Sequence, residues 1–177
     1  HDGAIAYQAL ATSAAHFDYA GDGYAEHTSW IAAGDALLVY DYNHDGRATN
    51  GSEISFVQYA LTATTDLEGL RLAFDSNHDG IFDSRDAHYA DFGLWTDANG
   101  DGITDNGEYQ SLAQAGINSI NLTSDGHVFS SANGDVLVSG ITSYTYGEGS
   151  TGLVHDVAFV TSQPNPDPLL SLSAQSA

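Results

Sequence analysis

The sequence predicts an α+β fold: a mostly antiparallel, sandwich-like β-sheet with short helices and several acidic loops. Three observations support this prediction. Acidic residues recur with a fixed spacing between Asp18 and Glu108, segments of helical period adjoin them, and strand-forming residues dominate from residue 117 onwards. With 177 residues and a hydrophobic fraction of 42%, the chain is long and apolar enough to bury a core.

The charge balance argues against several classes of function. Asp and Glu number 24 against three basic residues, which gives a net charge of -21 at pH 7. Because such a chain repels nucleic acid and anionic membranes, we expect no nucleic-acid partner. No apolar stretch approaches the roughly 18 residues of a membrane span, so we expect no membrane insertion. The chain has no Cys, and bound metal rather than disulfides is expected to reinforce the fold.

The acidic segments follow the spacing Asp-x-Asn-x-Asp-Gly, which is typical of EF-hand-like and dockerin-like calcium loops. Calcium takes about six to eight oxygen ligands, and such a loop supplies them from alternate positions and from a last acidic residue. One loop fills every position, with a backbone carbonyl at its seventh: Asp97, Asn99, Asp101, Ile103, Asp105 and Glu108. A second ends on Asp instead of Glu: Asp75, Asn77, Asp79, Ile81, Asp83 and Asp86.

Two further loops depart from this template. In the third, the last acidic residue comes one position late, and the predicted ligands are Asp41, Asn43, Asp45, Arg47, Thr49 and Glu53. The fourth has Ala20 and Ser29 where ligands are expected, and it retains Asp18, Asp22, Tyr24 and Glu26. His1-Asp2-Gly3 repeats the end of such a loop, so the sequence predicts about four or five Ca²⁺ ions. The alternative interpretation is a set of polar turns, because Asn, Asp and Gly favour turns.

Dependence on calcium would also determine in which cellular compartment the chain can fold. Without ions the clustered carboxylates repel one another, so metal binding is expected to supply folding free energy. Weak calcium sites fill at the roughly millimolar concentrations outside cells and stay empty in the cytosol. The predicted location is therefore extracellular.

Helices and strands can be assigned around these loops. Thr65-Asp66-Leu67-Glu68 has the form of a capping box that begins a helix ending near Phe74. Further helical segments are predicted over 87–94 and 108–115, the latter stopped by Gly116. Strands are predicted over 4–10, 36–40, 117–122, 128–129, 135–146 and 153–160, with a hairpin turn at Asn133-Gly134. Trp30 and Trp95 are predicted core residues. The folded module is predicted to span 1–162 and a flexible linker 163–177.

Conventional enzyme chemistry finds no support in the sequence, and we expect no enzymatic activity of that kind. No nucleophile motif such as Gly-x-Ser-x-Gly occurs, and calcium ligation accounts for the paired carboxylates. No His pair has the spacing of a zinc site beside a catalytic Glu. His44 and His78 occupy the fourth loop position, which supplies no ligand.

Several motifs together resemble one recurring module of giant repeats-in-toxin (RTX) proteins and adhesins exported by type I secretion. The resemblance covers residues 1 to about 160. It rests on Phe17-Asp18, Asp22-Gly23, Trp30, Leu37-Leu38-Val39-Tyr40-Asp41, Phe74-Asp75-Ser76-Asn77-His78-Asp79-Gly80, Leu94-Trp95-Thr96-Asp97 and Gly116-Ile117-Asn118-Ser119-Ile120-Asn121-Leu122. It implies a monomeric module within a long multidomain chain, held at the cell surface through a parent adhesin.

The resemblance implies two different functions. In adhesins, a similar module binds the C-terminal end of a peptide or protein on another cell in a calcium-dependent manner. In RTX proteins, calcium-induced folding of a similar module promotes cleavage of an Asp-Pro bond immediately upstream. Asp167-Pro168 lies at the opposite end of this sequence and reads as a linker dipeptide. Peptide binding is the primary hypothesis, self-processing is the alternative, and a calcium-stiffened spacer is the third.

Two places in the sequence are candidate ligand sites. The loop containing Asp18 and Asp22 lacks protein ligands, so a peptide carboxylate could replace water on its ion. A distant residue that closes this loop is the competing interpretation. The second candidate is Tyr144 and Tyr146, before a Gly-rich connection, where Tyr offers rigid contact area. Packing of both rings on one sheet face is the alternative.

Overall fold

Short antiparallel strands make up most of the chain between residues 4 and 162, the part that the computed structural model describes. The predicted linker 163–177, with Asp167-Pro168, and the loop fragment His1-Asp2-Gly3 lie outside the described residues. The strands are β1 (Tyr7–Gln8), β2 (His16–Phe17), β3 (Glu26–His27), β4 (Trp30–Ile31), β5 (Leu37–Tyr40), β6 (Ile81–Asp83), β7 (Phe92–Trp95), β8 (Tyr109–Ser111), β9 (Ile117–Asn121), β10 (Phe129–Ser131), β11 (Val136–Tyr146) and β12 (Ser150–Phe159). The helices are α1 (Gly51–Ile54) and α2 (Asp66–Phe74), with single 3₁₀ turns at Val57–Tyr59, Tyr89–Asp91 and Ala132–Gly134.

Within the described part of the chain, the strands form four sheets. Two sheets are simple pairs, β1-β4 and β2-β3, and a third has the order β5-β7-β8. The largest sheet centres on β11, which pairs with β12 along its whole length and with β10 and β9 along its other edge. All these pairings are antiparallel, so the predicted mostly antiparallel fold with short helices is confirmed. The strands are divided among four sheets, whereas a sandwich has two.

Two apolar clusters form the core. The first lies between α2 and the sheets of β7 and β9, and its buried aromatic members are Phe56, Phe74, Phe82, Tyr89 and Phe92. The second contains Phe17, Trp30, Val39 and Trp95. Both Trp side chains are completely buried, with ring centroids 5.5 Å apart, which confirms their prediction as core residues.

The helix predicted from the capping box is present as α2. The Thr65 side chain accepts a hydrogen bond from the Glu68 N–H, as in a capping box, but the Glu68 carboxylate returns to Thr64 instead of Thr65. A second capping residue comes from β12, because the Asp156 carboxylate accepts hydrogen bonds from the N–H groups of Asp66 and Leu67. Neither of the two helices is long and apolar enough to cross a membrane.

The helical segments predicted over 87–94 and 108–115 were wrong. In the first, a single 3₁₀ turn leads into β7, where Leu94 lies opposite Leu38 of β5. In the second, β8 pairs with β7, and one tight turn before Gly116 is all that remains of the expected helix. Pairing with β5 buries Phe92 and Trp95 completely, and this tertiary burial outweighs the local helical pattern.

Replacing Asp156 with Ala is expected to lower the free energy of unfolding by about 1–2 kcal/mol, because two N–H groups at the start of α2 lose their acceptor. Urea unfolding at saturating calcium, followed by circular dichroism, measures this change. Asp156→Asn retains an acceptor oxygen and should lose less. Equal stability of Asp156→Ala and the unchanged protein would contradict the capping role.

Candidate metal centres

The four acidic loops share one hydrogen-bonding pattern. In each, the carboxylate at the first position accepts a hydrogen bond from the N–H of the Gly at the sixth. These distances are 2.8 Å for Asp18–Gly23, 3.1 Å for Asp41–Gly46, 3.0 Å for Asp75–Gly80 and 2.8 Å for Asp97–Gly102. The carboxylate at the fifth position accepts from the N–H at the seventh in all four loops. The fourth loop therefore folds like the others although it lacks two of the expected ligands.

The fourth and sixth residues of each loop have positive φ. The sixth position is Gly throughout, and the fourth is Gly21, His44, His78 or Gly100. His44 and His78 have φ values of 57° and 59°. This left-handed backbone conformation is uncommon for residues other than Gly, although Asn, Asp and His adopt it more often than the rest. Both side chains are exposed, so these residues serve the loop through the backbone turn that they form.

The loop that starts at Asp41 contains a group of acidic oxygens suited to a cation. One oxygen from each of Asp41, Asp45 and Glu53 lies within 4.8 Å of the others. Glu53 is completely buried, and its Oε2 accepts hydrogen bonds from the Thr49 N–H (2.7 Å) and hydroxyl (2.8 Å). Its Oε1 is buried without a hydrogen-bond partner in the structure. A buried charged oxygen in that state destabilises the fold unless a cation joins it, so these residues fit a bound calcium.

Helix α1 explains how Glu53 reaches this group one residue late. Asn50 caps α1 and forms a capping box with Glu53, whose Oε2 accepts from the Asn50 N–H at 3.3 Å. The box fixes the carboxylate in the first turn of the helix, and one of its oxygens lies close to Asp41 and Asp45. The prediction that Glu53 closes this loop is consistent with its position, and its capping role became visible only in the structure.

The last acidic residue of two other loops closes its loop in a common way. Oxygens of Glu108 accept hydrogen bonds from the N–H groups of Ala98 (2.9 Å) and Asp105 (3.0 Å). Asp86 does the same for Ser76 (2.8 Å) and Asp83 (2.9 Å). Both carboxylates thus join the second position of the loop to the ninth, near the other predicted ligands.

Glu26 takes part of this closing role in the Asp18 loop. Its Oε2 accepts from the Tyr19 N–H, the second position of that loop, at 3.4 Å. Glu26 reaches Tyr19 because it lies in β3, opposite Phe17 of β2. The sequence placed Glu26 at the ninth position and left the loop open, whereas cross-strand pairing brings its carboxylate to the loop.

A guanidinium group contacts two predicted ligands of the Asp75 loop. Arg85 Nη2 lies 2.8 Å from Asp79 and 2.7 Å from Asp83. Its hydrogen bonds hold the pKa of the Asp83 carboxyl below its usual value. A metal ion that uses both carboxylates has to displace this side chain.

Buried hydrogen bonds connect the loops to the core. The Trp30 indole N–H donates to the Asp97 carboxylate at 2.8 Å, and the Trp95 N–H donates to Glu108 at 3.3 Å. Asp97 is itself 1% exposed. The first and last acidic residues of one loop therefore depend on the two Trp side chains of the second apolar cluster.

Further contacts join the loops to one another. The Thr104 hydroxyl both accepts from the Ala48 N–H and donates to the Ala48 carbonyl, each at 3.0 Å, which links the Asp97 and Asp41 loops. The Tyr109 hydroxyl hydrogen bonds Asp41, and burial together with this carboxylate raises the pKa of Tyr109. The Asp18 carbonyl accepts from the Gly51 N–H of α1. The sequence analysis missed Thr104 and Tyr109, because neither occupies a ligand position.

The two candidate ligand sites are separate. Tyr144 and Tyr146 pack against each other, with ring centroids 5.5 Å apart, and line an apolar groove of about 270 Å³. Asp18 and Asp22 do not line this groove. The structure therefore does not combine the two predicted ligand sites into one.

Two comparisons with known proteins found relatives. The model of the SPM domain family matches residues 1–160. The chain is also 31% identical over 166 residues to the iron-regulated protein FrpA of Neisseria meningitidis serogroup C. This match covers 88% of the chain but 14% of FrpA, so the chain spans a small part of that relative.

Glu53→Gln should lower stability in the presence of calcium but not in its absence. The variant removes a charged ligand, so calcium should bind its loop at least about tenfold more weakly. Without calcium, a Gln amide can donate to Asp41 and Asp45, so the chelated protein should be equally stable or more stable. Thermal unfolding with calcium and with chelator measures both effects.

Glu148→Gln is the matched control, because it makes the same charge change at an exposed position between β11 and β12. It should leave the gain in melting temperature on adding calcium unchanged. An equal gain in Glu53→Gln would rule out Glu53 as a ligand.

Proposed function

Because the chain belongs to the SPM domain family, we propose that it is a module of a secreted RTX-type protein that folds when it binds calcium outside the cell. One observation carries the proposal. The buried Glu53 carboxylate has an oxygen without a hydrogen-bond partner, and one of its oxygens lies within 4.8 Å of oxygens of Asp41 and Asp45, an arrangement that a bound cation would stabilise. The other three loops, with the same backbone pattern, supply further sites for the proposed ions.

The charge of the chain supports calcium-dependent folding. The eight positive charges of four calcium ions would reduce the net charge from -21 to -13. Without them, the carboxylates of each loop repel one another in the folded state and move apart in the unfolded chain. Asp97 and Glu108 are bonded to core Trp side chains, so loss of order in that loop would also disturb the core.

Calcium removal is therefore expected to unfold the chain or to loosen its tertiary packing. The proposed measurement follows near-ultraviolet circular dichroism and Trp fluorescence during titration of the chelated protein with calcium. Both signals should change together, because Trp30 and Trp95 report on the Asp97 loop. Magnesium is the control ion and should act weakly, because it demands octahedral geometry. Identical spectra with calcium and with chelator would contradict the proposal.

For the activity of the folded module, we propose calcium-triggered cleavage of an Asp-Pro bond in the chain that precedes it. The packing of the N-terminal segment supports this proposal. Three interactions hold residues 6–16 against the core and the Asp97 loop. They are the pairing of β1 with β4, the hydrogen bond from the Ala6 N–H to Asp35 and the hydrogen bond from the His16 N–H to the Asp101 carbonyl. Folding of the loops would therefore fix the direction from which the preceding polypeptide approaches.

A longer polypeptide, extended by the natural sequence before residue 1, tests this activity. Calcium should produce two fragments whose masses identify cleavage at Asp-Pro, and chelator should keep the chain intact. Glu53→Gln should slow fragmentation at limiting calcium, whereas Glu148→Gln should not. An intact chain at saturating calcium, together with spectra of a folded module, would exclude self-processing without affecting calcium-dependent folding.

Calcium-dependent peptide binding is a second candidate function. The observation that favours it is the apolar groove lined by Tyr144 and Tyr146. A peptide carboxylate bound directly to the ion of the Asp18 loop has less support, because the Glu26 carboxylate contacts the second loop residue and can take part of the closing role. Peptides with free and with amidated C-termini distinguish the two modes. Binding through the ion requires the free carboxylate, whereas binding in the groove does not.

A further inference from the structure

We propose that an extended peptide segment with apolar side chains and a basic side chain binds in the groove between strands β5 and β12. We call it the edge-strand groove; Ile31, Leu37, Leu38, Tyr144, Leu153 and Val154 line it. The inference rests on the second proposed function, peptide binding, and adds the site and the chemistry of the ligand. It is independent of self-processing.

Two unpaired strand edges border the groove. Strand β5 is the first strand of the order β5-β7-β8, and β12 pairs with β11 on one side alone. Within residues 4–162, neither strand has a second strand along its outer edge. The outer edge of a strand presents N–H and C=O groups at regular spacing, which an added peptide strand can pair with.

The walls and floor of the groove are apolar. Leu153 of β12 is 46% exposed, which is high for a large apolar side chain beside a cavity. The floor is closed where the Tyr144 ring lies against Gly152, its cross-strand partner, so closely that a Cβ atom on Gly152 would clash with it. The volume of about 270 Å³ can take one or two apolar side chains of an extended peptide.

One end of the groove is polar and negatively charged. Asp35 lies there together with Tyr7 and His155, and the Tyr7 hydroxyl is 2.7 Å from His155 Nδ1. Burial raises the pKa of Tyr7, and the Asp35 carboxylate raises it further. Burial lowers the pKa of His155, which favours the neutral ring. Among the groove residues within 4–162 there is no Lys or Arg, and Asp35 therefore supplies negative charge there.

Charge complementarity selects the ligand. None of the three Arg residues lines the groove, and the chain as a whole carries a charge of -21. A second copy of this chain or any anionic polymer would be repelled. A peptide with Lys or Arg next to apolar residues places its cation against Asp35 and its apolar side chains against Leu153 and Tyr144.

The test uses fluorescently labelled peptides and the calcium-loaded chain of 177 residues. The probes are Ac-Leu-Lys-Val-Lys-Leu-NH2, the same peptide with Glu in place of Lys, and the Lys peptide with N-methylated backbone amides. Anisotropy titrations should show binding of the first peptide and little of the other two. Asp35→Asn should weaken binding of the Lys peptide about fivefold, and Leu153→Ser about tenfold.

Leu137→Ser is the matched control, since Leu137 is 43% exposed on the neighbouring strand β11 and lies outside the groove. It should leave affinity unchanged. Binding that is insensitive to Asp35→Asn and Leu153→Ser would overturn the edge-strand groove as the site while peptide binding stands. No binding of any of the three peptides at saturating calcium would overturn the proposed ligand chemistry.

Discussion

The hydrogen bond from the buried Trp30 indole to the Asp97 carboxylate connects the apolar core to an acidic loop. A carboxylate with 1% exposure is unstable among apolar groups unless donors surround it, and here the donors are the indole and the N–H groups of Gly100 and Gly102. We therefore expect the apolar cluster around Trp30 and the closed Asp97 loop to stabilise each other and to unfold together.

The remaining loops extend this unit in two directions. Thr104 joins the Asp97 loop to the Asp41 loop, and α1 joins the latter to the Asp18 loop, so three loops surround the second apolar cluster. The Asp75 loop belongs to the first cluster instead, because it contains β6, which pairs with β9 of the large sheet. The second apolar cluster thus has three acidic loops beside it, and the first has one. A cation in either set would stabilise the strands that pack behind it.

Features encoded by local spacing could be predicted, and features made by distant pairing could not. The four loops, Glu53 as a closing residue, α2 and the β10–β11 turn follow from residues within about one loop length of each other. The 87–94 and 108–115 segments have helical periodicity but contain strands β7 and β8, because β7 pairs with β5 and β8 pairs with β7. The closing contact of Glu26 depends on the register between β2 and β3, which loop spacing does not give. The groove beside Asp35 and His155 depends on contacts between residues more than a hundred positions apart, such as Tyr7 and His155.

Both ends of the described chain attach to the same short segment. Residues 7–8 pair with Trp30 and Ile31, while Val160 and Ser162 bond to Ser29 and His27. Tension applied between these ends would therefore act on a few hydrogen bonds around residues 27–31. The long β11–β12 hairpin and the Asp41 and Asp75 loops lie outside that direct path. In a polypeptide under load, this segment would bear the force first, and it lies directly against the Trp30–Asp97 bond on which the core depends.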